Sequence, residues 1–127
     1  MIRVAIADDH AEMLVALRRL LSFAEDVEVV CAVGGGQEAV DCVKQLQPDI
    51  LVMDVQMPDL DGLEATRQIT SLGTHTRVIL ISIHRDSYLI RQAQEAGAKG
   101  FLPKEDLATS LRRAVRAVHQ GEEIFME

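Results

Sequence analysis

Two hydrophobic rhythms alternate along this chain. Unbroken apolar runs occur at 4–7, 50–53 and 78–81, with another at 27–33 interrupted by Glu28 and a brief one at 100–102. A short continuous apolar run between turn signals predicts a strand buried on both faces, as inside a parallel sheet. Between these runs, apolar residues recur at helical spacing. Met13, Leu14, Leu17, Leu20, Leu21 and Ala24 mark one stripe; Ala39, Val40, Val43 and Leu46 mark the next. Leu63, Thr66, Ile69 and Leu72 trace a third, Leu89, Ile90, Ala93 and Ala96 a fourth, and Leu107, Leu111, Ala114, Val115 and Val118 a fifth. Pro48 stops the second helix, and Gly73 and Gly97 close the third and fourth. Strands alternating with helices predict an α/β class with a five-stranded parallel sheet, and right-handed crossovers make a doubly wound layout the simple choice. Pro103 donates nothing to a ladder, so the fifth strand is expected at an edge.

Polar residues collect where these strands end. Asp8 and Asp9 follow the first, Asp54 the third, Ser82 the fourth and Lys104 the fifth. In a parallel sheet those ends share one side, where open α/β sheets bind ligands. Taken singly, each has a plain explanation. An aspartate at a strand end caps a helix or forms a turn more often than it attacks a substrate, and Asp9 could cap the first helix. Together they would put three carboxylates, a hydroxyl and an ammonium in one crevice. Clustered carboxylates resist ionising without a counter-charge. Lys104 supplies one positive charge, and an all-oxygen ligand set suits Mg²⁺. A nucleophilic carboxylate beside Mg²⁺, a lysine and a hydroxyl fits phosphoryl transfer onto aspartate.

Composition narrows the choices. At 127 residues, 48% hydrophobic and 26% charged, the chain has the size and make-up of one globular domain. A net charge of −7 argues against nucleic-acid or anionic-membrane binding by this domain. Cys31 and Cys42 form no Cys-x-x-Cys pair and are expected to be reduced and buried in a cytoplasmic protein. No apolar run is long enough to span a membrane. Gly34-Gly35-Gly36 lacks the Gly-Lys-Ser/Thr ending of a phosphate loop and is expected to link a strand to a helix.

Asp8-Asp9, Asp54, Met57-Pro58 with Asp61-Gly62, Ser82, Ala96-Gly97-Ala98, Gly100-Phe101 and Lys104, in that order, resemble a two-component response-regulator receiver domain over essentially the whole chain. The resemblance implies the flavodoxin-like (βα)5 strand order 2-1-3-4-5 and phosphorylation of Asp54 by a sensor histidine kinase. It implies Mg²⁺ bound by Asp9, Asp54 and the Gln56 backbone carbonyl, with Asp8 acting mainly through metal-bound water. Lys104 would pair with the phosphoryl oxygens, Ser82 would turn to hydrogen-bond one of them, and Phe101 would be the switch aromatic. Residues 62–65, 82–84 and 100–104 look like the NarL/FixJ group, whose receivers usually precede a LuxR-type helix-turn-helix domain. A receiver over 1–121 is therefore expected, with 122–127 starting a linker towards a DNA-binding output domain outside this chain. Partners implied are the kinase and, in some receivers, a second copy; no nucleic acid or membrane contacts this domain itself.

Two departures from the wider family pattern carry expectations. Glu105, not proline, follows Lys104, so that peptide bond is expected to be trans. Gln56 and His84 stand where they would flank the path of an attacking water, and Ile83, bulkier than the small residue common there, is expected with His84 to slow water's access and prolong the phosphorylated lifetime. Three other readings compete with the receiver. A small aspartyl-phosphate phosphatase would usually carry a second acid where Gln56 stands. A flavin or nucleotide module would want more aromatics and a less acidic crevice. A single-domain regulator acting through protein contacts would share the receiver site but lack the output domain.

Overall fold

The expected strands and helices form in the expected order, and the reason is visible in which side of the sheet each residue faces. A computed structural model describes all 127 residues. Strands β1 (Ile2–Ala7), β2 (Val27–Val33), β3 (Ile50–Asp54), β4 (Arg77–Ser82) and β5 (Gly100–Pro103) alternate with helices α1 (Ala11–Ser22), α2 (Gly36–Leu46), α3 (Gly62–Leu72), α4 (Ser87–Ala96) and α5 (Leu107–His119). All strand pairs are parallel, in the order 2-1-3-4-5 with one further strand beyond β5. Successive strand residues point to opposite faces. Thus Ile50 and Val52 of β3 join Val4, Ile6, Ile79 and Ile81 under α1 and α5. Leu51 and Met53 join Ala5, Ala7, Val78 and Leu80 under α2, α3 and α4. The sheet has a complete aliphatic core on each face, which is why its inner strands are continuously apolar. Truncating a fully buried residue such as Leu51 to alanine would cost about 2–5 kcal/mol.

Two expectations need correction. The sheet has six strands, not five, because β6 (Ile124–Phe125) pairs with Gly100 and Phe101. The first half of β5 is therefore not an edge; Pro103 sits past the stretch paired with β6, in register with Ser82 of β4. Part of the segment expected to begin a linker is thus a strand on the sheet. The cause lies in its alternation: Phe125 packs on the α4 side, while Ile124 and Met126 pack on the α5 side. The chain contains no cis peptide, so Lys104–Glu105 is trans as expected. No helix is long and apolar enough to cross a membrane.

Candidate functional site

Face alternation also decides which polar groups meet at the carboxyl ends of the strands. Asp54 closes β3 in step with Ile50 and Val52, Asp8 follows β1 in step with Val4 and Ile6, and Lys104 follows β5 in step with Leu102. The three converge. The Lys104 ammonium lies 3.0 Å from Asp8 Oδ2 and 3.4 Å from Asp54 Oδ2, with its side chain only 12% exposed. Asp8 is fully buried, and its other oxygen accepts the His10 amide at 2.9 Å. Asp54 Oδ1 accepts the Gln56 amide at 3.4 Å.

Asp9 is exposed and does not cap α1: the cap position belongs to His10, whose side chain makes no capping bond. Asp9 is instead free to face the cleft. His10, expected to play a structural or solvent role, joins the cluster. Its Nδ1 lies 3.3 Å from Asp8 Oδ1 and 3.2 Å from Asp9 Oδ1. Asp8, Asp9, His10 and Asp54 each offer a ligand atom, and these atoms all lie within 4.8 Å of one another. An open cleft of about 500 Å³ lies over them, lined by Asp9, His10, Asp54, Gln56, Met57, Pro58, Asp61, Ile83 and Lys104.

Electrostatics mark Asp54 as short of positive charge. Burial raises its carboxyl above the usual range, and the Asp8 carboxylate adds to the rise; Lys104 and the Gln56 amide oppose it without cancelling it. A divalent cation bound among these oxygens would remove that deficit. The carboxylates of this cluster are the hard oxygen ligands that suit Mg²⁺.

Two predicted residues stand apart from the cleft, and alternation again explains why. Ser82 closes β4 on the opposite face, in step with Val78 and Leu80. It is buried, and its hydroxyl accepts the His84 amide at 2.9 Å. Phe101 is fully buried in the core on that same face. Gln56 and Ile83 line the cleft, and the exposed His84 donates its amide to the Ser82 hydroxyl. The loop after Asp54 is closed by the Gly62 amide, which donates to Val55 O at 2.6 Å. A side chain at residue 62 would collide with Asp54 O, 2.3 Å from where its Cβ would sit.

The family profile described as response regulator receiver domain matches residues 4–116. Among similar sequences, the transcriptional regulatory protein LnrK of Bacillus subtilis is 39% identical over 121 residues, 95% of this chain and 55% of LnrK. The transcriptional regulatory protein DesR of the same organism is 41% identical over 125 residues, 98% of this chain and 62% of DesR. The chain therefore spans little more than half the length of these relatives. Among solved structures, the signal receiver domain of the response regulator NarL from Mycobacterium tuberculosis superposes with a TM-score of 0.92 at 34% identity. That match covers 95% of this chain and 98% of the other. A LuxR-family two-component response regulator from Aurantimonas sp. SI85-9A1 gives 0.92 at 31%, covering 96% and 87%.

Proposed function

This chain belongs to the response regulator receiver domain family, and from that premise we propose that it is a phosphorylation switch whose acceptor is the Asp54 carboxylate. Receivers are regulatory phosphoacceptor domains served by a cognate histidine kinase, not catalytic enzymes in their own right. The observation that carries the assignment to Asp54 is its meeting with Lys104 and Asp8 at the floor of an open cleft.

An Asp54 oxygen forms a bond to phosphorus as the bond between phosphorus and the kinase's histidine nitrogen breaks; the released imidazole takes up a proton. Lys104 moves from bridging two carboxylates to pairing with the phosphoryl oxygens. Asp9, Asp54 and the Gln56 backbone carbonyl would hold Mg²⁺, with Asp8 in a supporting place beside them. When bound, Mg²⁺ would supply the positive charge that lets the phosphoryl group share the cleft with the Asp8 and Asp9 carboxylates. The Ser82 hydroxyl turns to donate to a phosphoryl oxygen, and buried Phe101 follows its movement. A phosphoryl group adds about −1.5 to −2 charges, so it biases a two-state equilibrium between surfaces. Gln56 offers no acid two residues after Asp54, which supports a stored phosphoryl group over rapid turnover.

The output belongs to the longer protein that the relatives imply. We assign 1–121 to the receiver and 122–127, whose β6 lies back on the receiver's sheet, to the start of a connection to a DNA-binding domain, with transcription as the controlled process and a homodimer as a candidate active form. LnrK and DesR, both described as transcriptional regulatory proteins, support the transcriptional output. Incubation with acetyl phosphate and Mg²⁺, followed by intact mass, tests the acceptor. Wild type should gain one phosphoryl group, and Asp54→Asn or chelator should prevent the gain. Equal uptake by Asp54→Asn would overturn the assignment.

A further inference from the structure

The glycine run at 34–36 has no part in the acceptor chemistry, yet the structure gives it a neighbour on the loop that follows the acceptor. Gly36 opens α2, and no side chain at the cap position satisfies the helix's first amides. Asp59, from the loop that follows the acceptor, does so. Its Oδ1 accepts the Gly36 amide at 3.1 Å and its Oδ2 accepts the Gln37 amide at 3.2 Å. Two amides at a helix N-terminus, where the macrodipole is positive, are a favourable seat for a carboxylate. The glycines admit this approach. A Cβ on Gly36 would lie 2.0 Å from Leu60 O, and one on Gly35 would lie 2.9 Å from the Asp59 carboxylate.

The contact matters because of what this loop carries. Gln56, Met57 and Pro58 form one wall of the cleft. Within 56–60, the two bonds of Asp59 are the hydrogen bonds that reach another element; the Gln56 amide turns back to Asp54 itself. Apolar packing also anchors the loop, with Met57 buried in the core and Leu60 packed against it, and its ends are held by the Val55 amide on Ile81 O at 3.0 Å and by Asp61 capping α3 through the Glu64 amide at 2.9 Å.

We propose that Asp59 is a positioning residue: by capping α2 across the gap, it fixes the middle of the acceptor loop and so holds the Gln56 side of the Mg²⁺ cleft in place. This rests on the acceptor reading above for its purpose, but its test reads the ion alone. Asp59 touches neither the ion nor the phosphoryl group; it acts through the loop.

The test is Mg²⁺ binding by calorimetry on the intact chain, with thermal unfolding in parallel, for wild type, Asp59→Ala, Asp59→Asn and Lys44→Gly. Lys44 is exposed on α2, and glycine there weakens the helix without touching the loop. Asp59→Ala should weaken Mg²⁺ binding about tenfold, the low end of what losing an outer partner of a metal site costs. Asp59→Asn keeps an oxygen that accepts one amide and should fall between wild type and alanine. Lys44→Gly should lower the unfolding temperature and leave Mg²⁺ affinity unchanged. Unchanged affinity in Asp59→Ala, or an equal loss in Lys44→Gly, would overturn the proposal, as would a wild type that takes up no Mg²⁺. A wild type that binds Mg²⁺ but accepts no phosphoryl group would sink the acceptor reading while leaving the role of Asp59 to be decided by the variants.

Discussion

Asp49 and Asp54 bracket the same strand and meet opposite fates. Asp49, at the entrance to β3, sits where charge and hydrogen bonds are matched. Burial works against its ionised form, but the Arg3 amide and the nearby His119 and His75 imidazoles outweigh it and hold the carboxyl below the usual range. Its oxygens accept the Arg3 amide at 2.8 Å and contact His75 Nε2 at 3.2 Å. Around it, Thr76 donates to Pro48 O, and Arg77 donates to the last carbonyls of α5. Asp54, at the exit, is pushed the other way by burial and by Asp8. One end of the sheet spends its polar groups on one another. The other leaves a carboxylate wanting positive charge under an open cleft. The comparison teaches that an aspartate at a strand end is not informative by itself; what matters is whether its neighbours already satisfy it.

The contrast can be broken from either end. The largest expected effect is at the exit. Lys104→Ala leaves buried Asp8 beside Asp54 without its cation and should cost about 3 kcal/mol in urea unfolding, the low end for breaking a buried pair. Saturating Mg²⁺ should restore part of that loss; a variant as stable as wild type without Mg²⁺ would show that the cleft is less charge-starved than argued. At the entrance, Asp49→Ala should cost about 1–2 kcal/mol, because a charge-assisted bond to a backbone amide is lost at a partly exposed site. Mg²⁺ should restore nothing there.

A smaller effect separates the two by sign. The folded Asp54 carboxyl holds its proton more tightly than the unfolded one. Its contribution to stability is therefore greatest at low pH and falls as pH rises through the window between the ordinary and the raised value. For Asp49 the folded value is lowered, so its contribution is present above the ordinary value and is lost as pH falls through the lowered one. As pH rises above about 4, the ordinary aspartate value, Asp54→Asn should gain on wild type, whereas Asp49→Asn should hold a constant deficit there and close it only as pH falls below that value. Unfolding curves of parallel slope for both would remove the distinction. The smallest effect concerns Ile83, which is 69% exposed at the cleft wall. Ile83→Ala should speed loss of the phosphoryl group roughly threefold, less than 1 kcal/mol of barrier. An unchanged decay rate would reduce Ile83 to packing.

Much of this was legible in the residues alone. The buried strands announced themselves because both faces of the sheet are covered, so Ile50–Met53 has no polar position to confuse its period. Asp8, Asp9, Asp54 and Lys104 were legible as one group because parallel strands put their carboxyl ends together. The separation of Ser82 and Phe101 from that group was readable in principle, since counting alternate positions from Ile81 and Leu102 puts them on the other face. His10 followed the acid pair directly, but nothing in spacing shows that a turn folds its ring back onto both carboxylates. β6 escaped notice because a two-residue strand carries too short a pattern, and its partner lies on an already formed sheet. The Asp59 contact with α2 was invisible for a different reason: it joins residues 23 and 22 positions apart, and only folding brings loop and helix amides together.

The central claim is that the chemistry converges on a single carboxylate, and trapping the product tests it most directly. Borohydride reduces an aspartyl phosphate to homoserine, so the phosphorylated chain can be reduced, digested and sequenced by mass spectrometry. The account predicts homoserine at position 54 and at no other aspartate. Homoserine at position 8, 9, 59 or 61, or its absence from a chain that has gained a phosphoryl group, would contradict it.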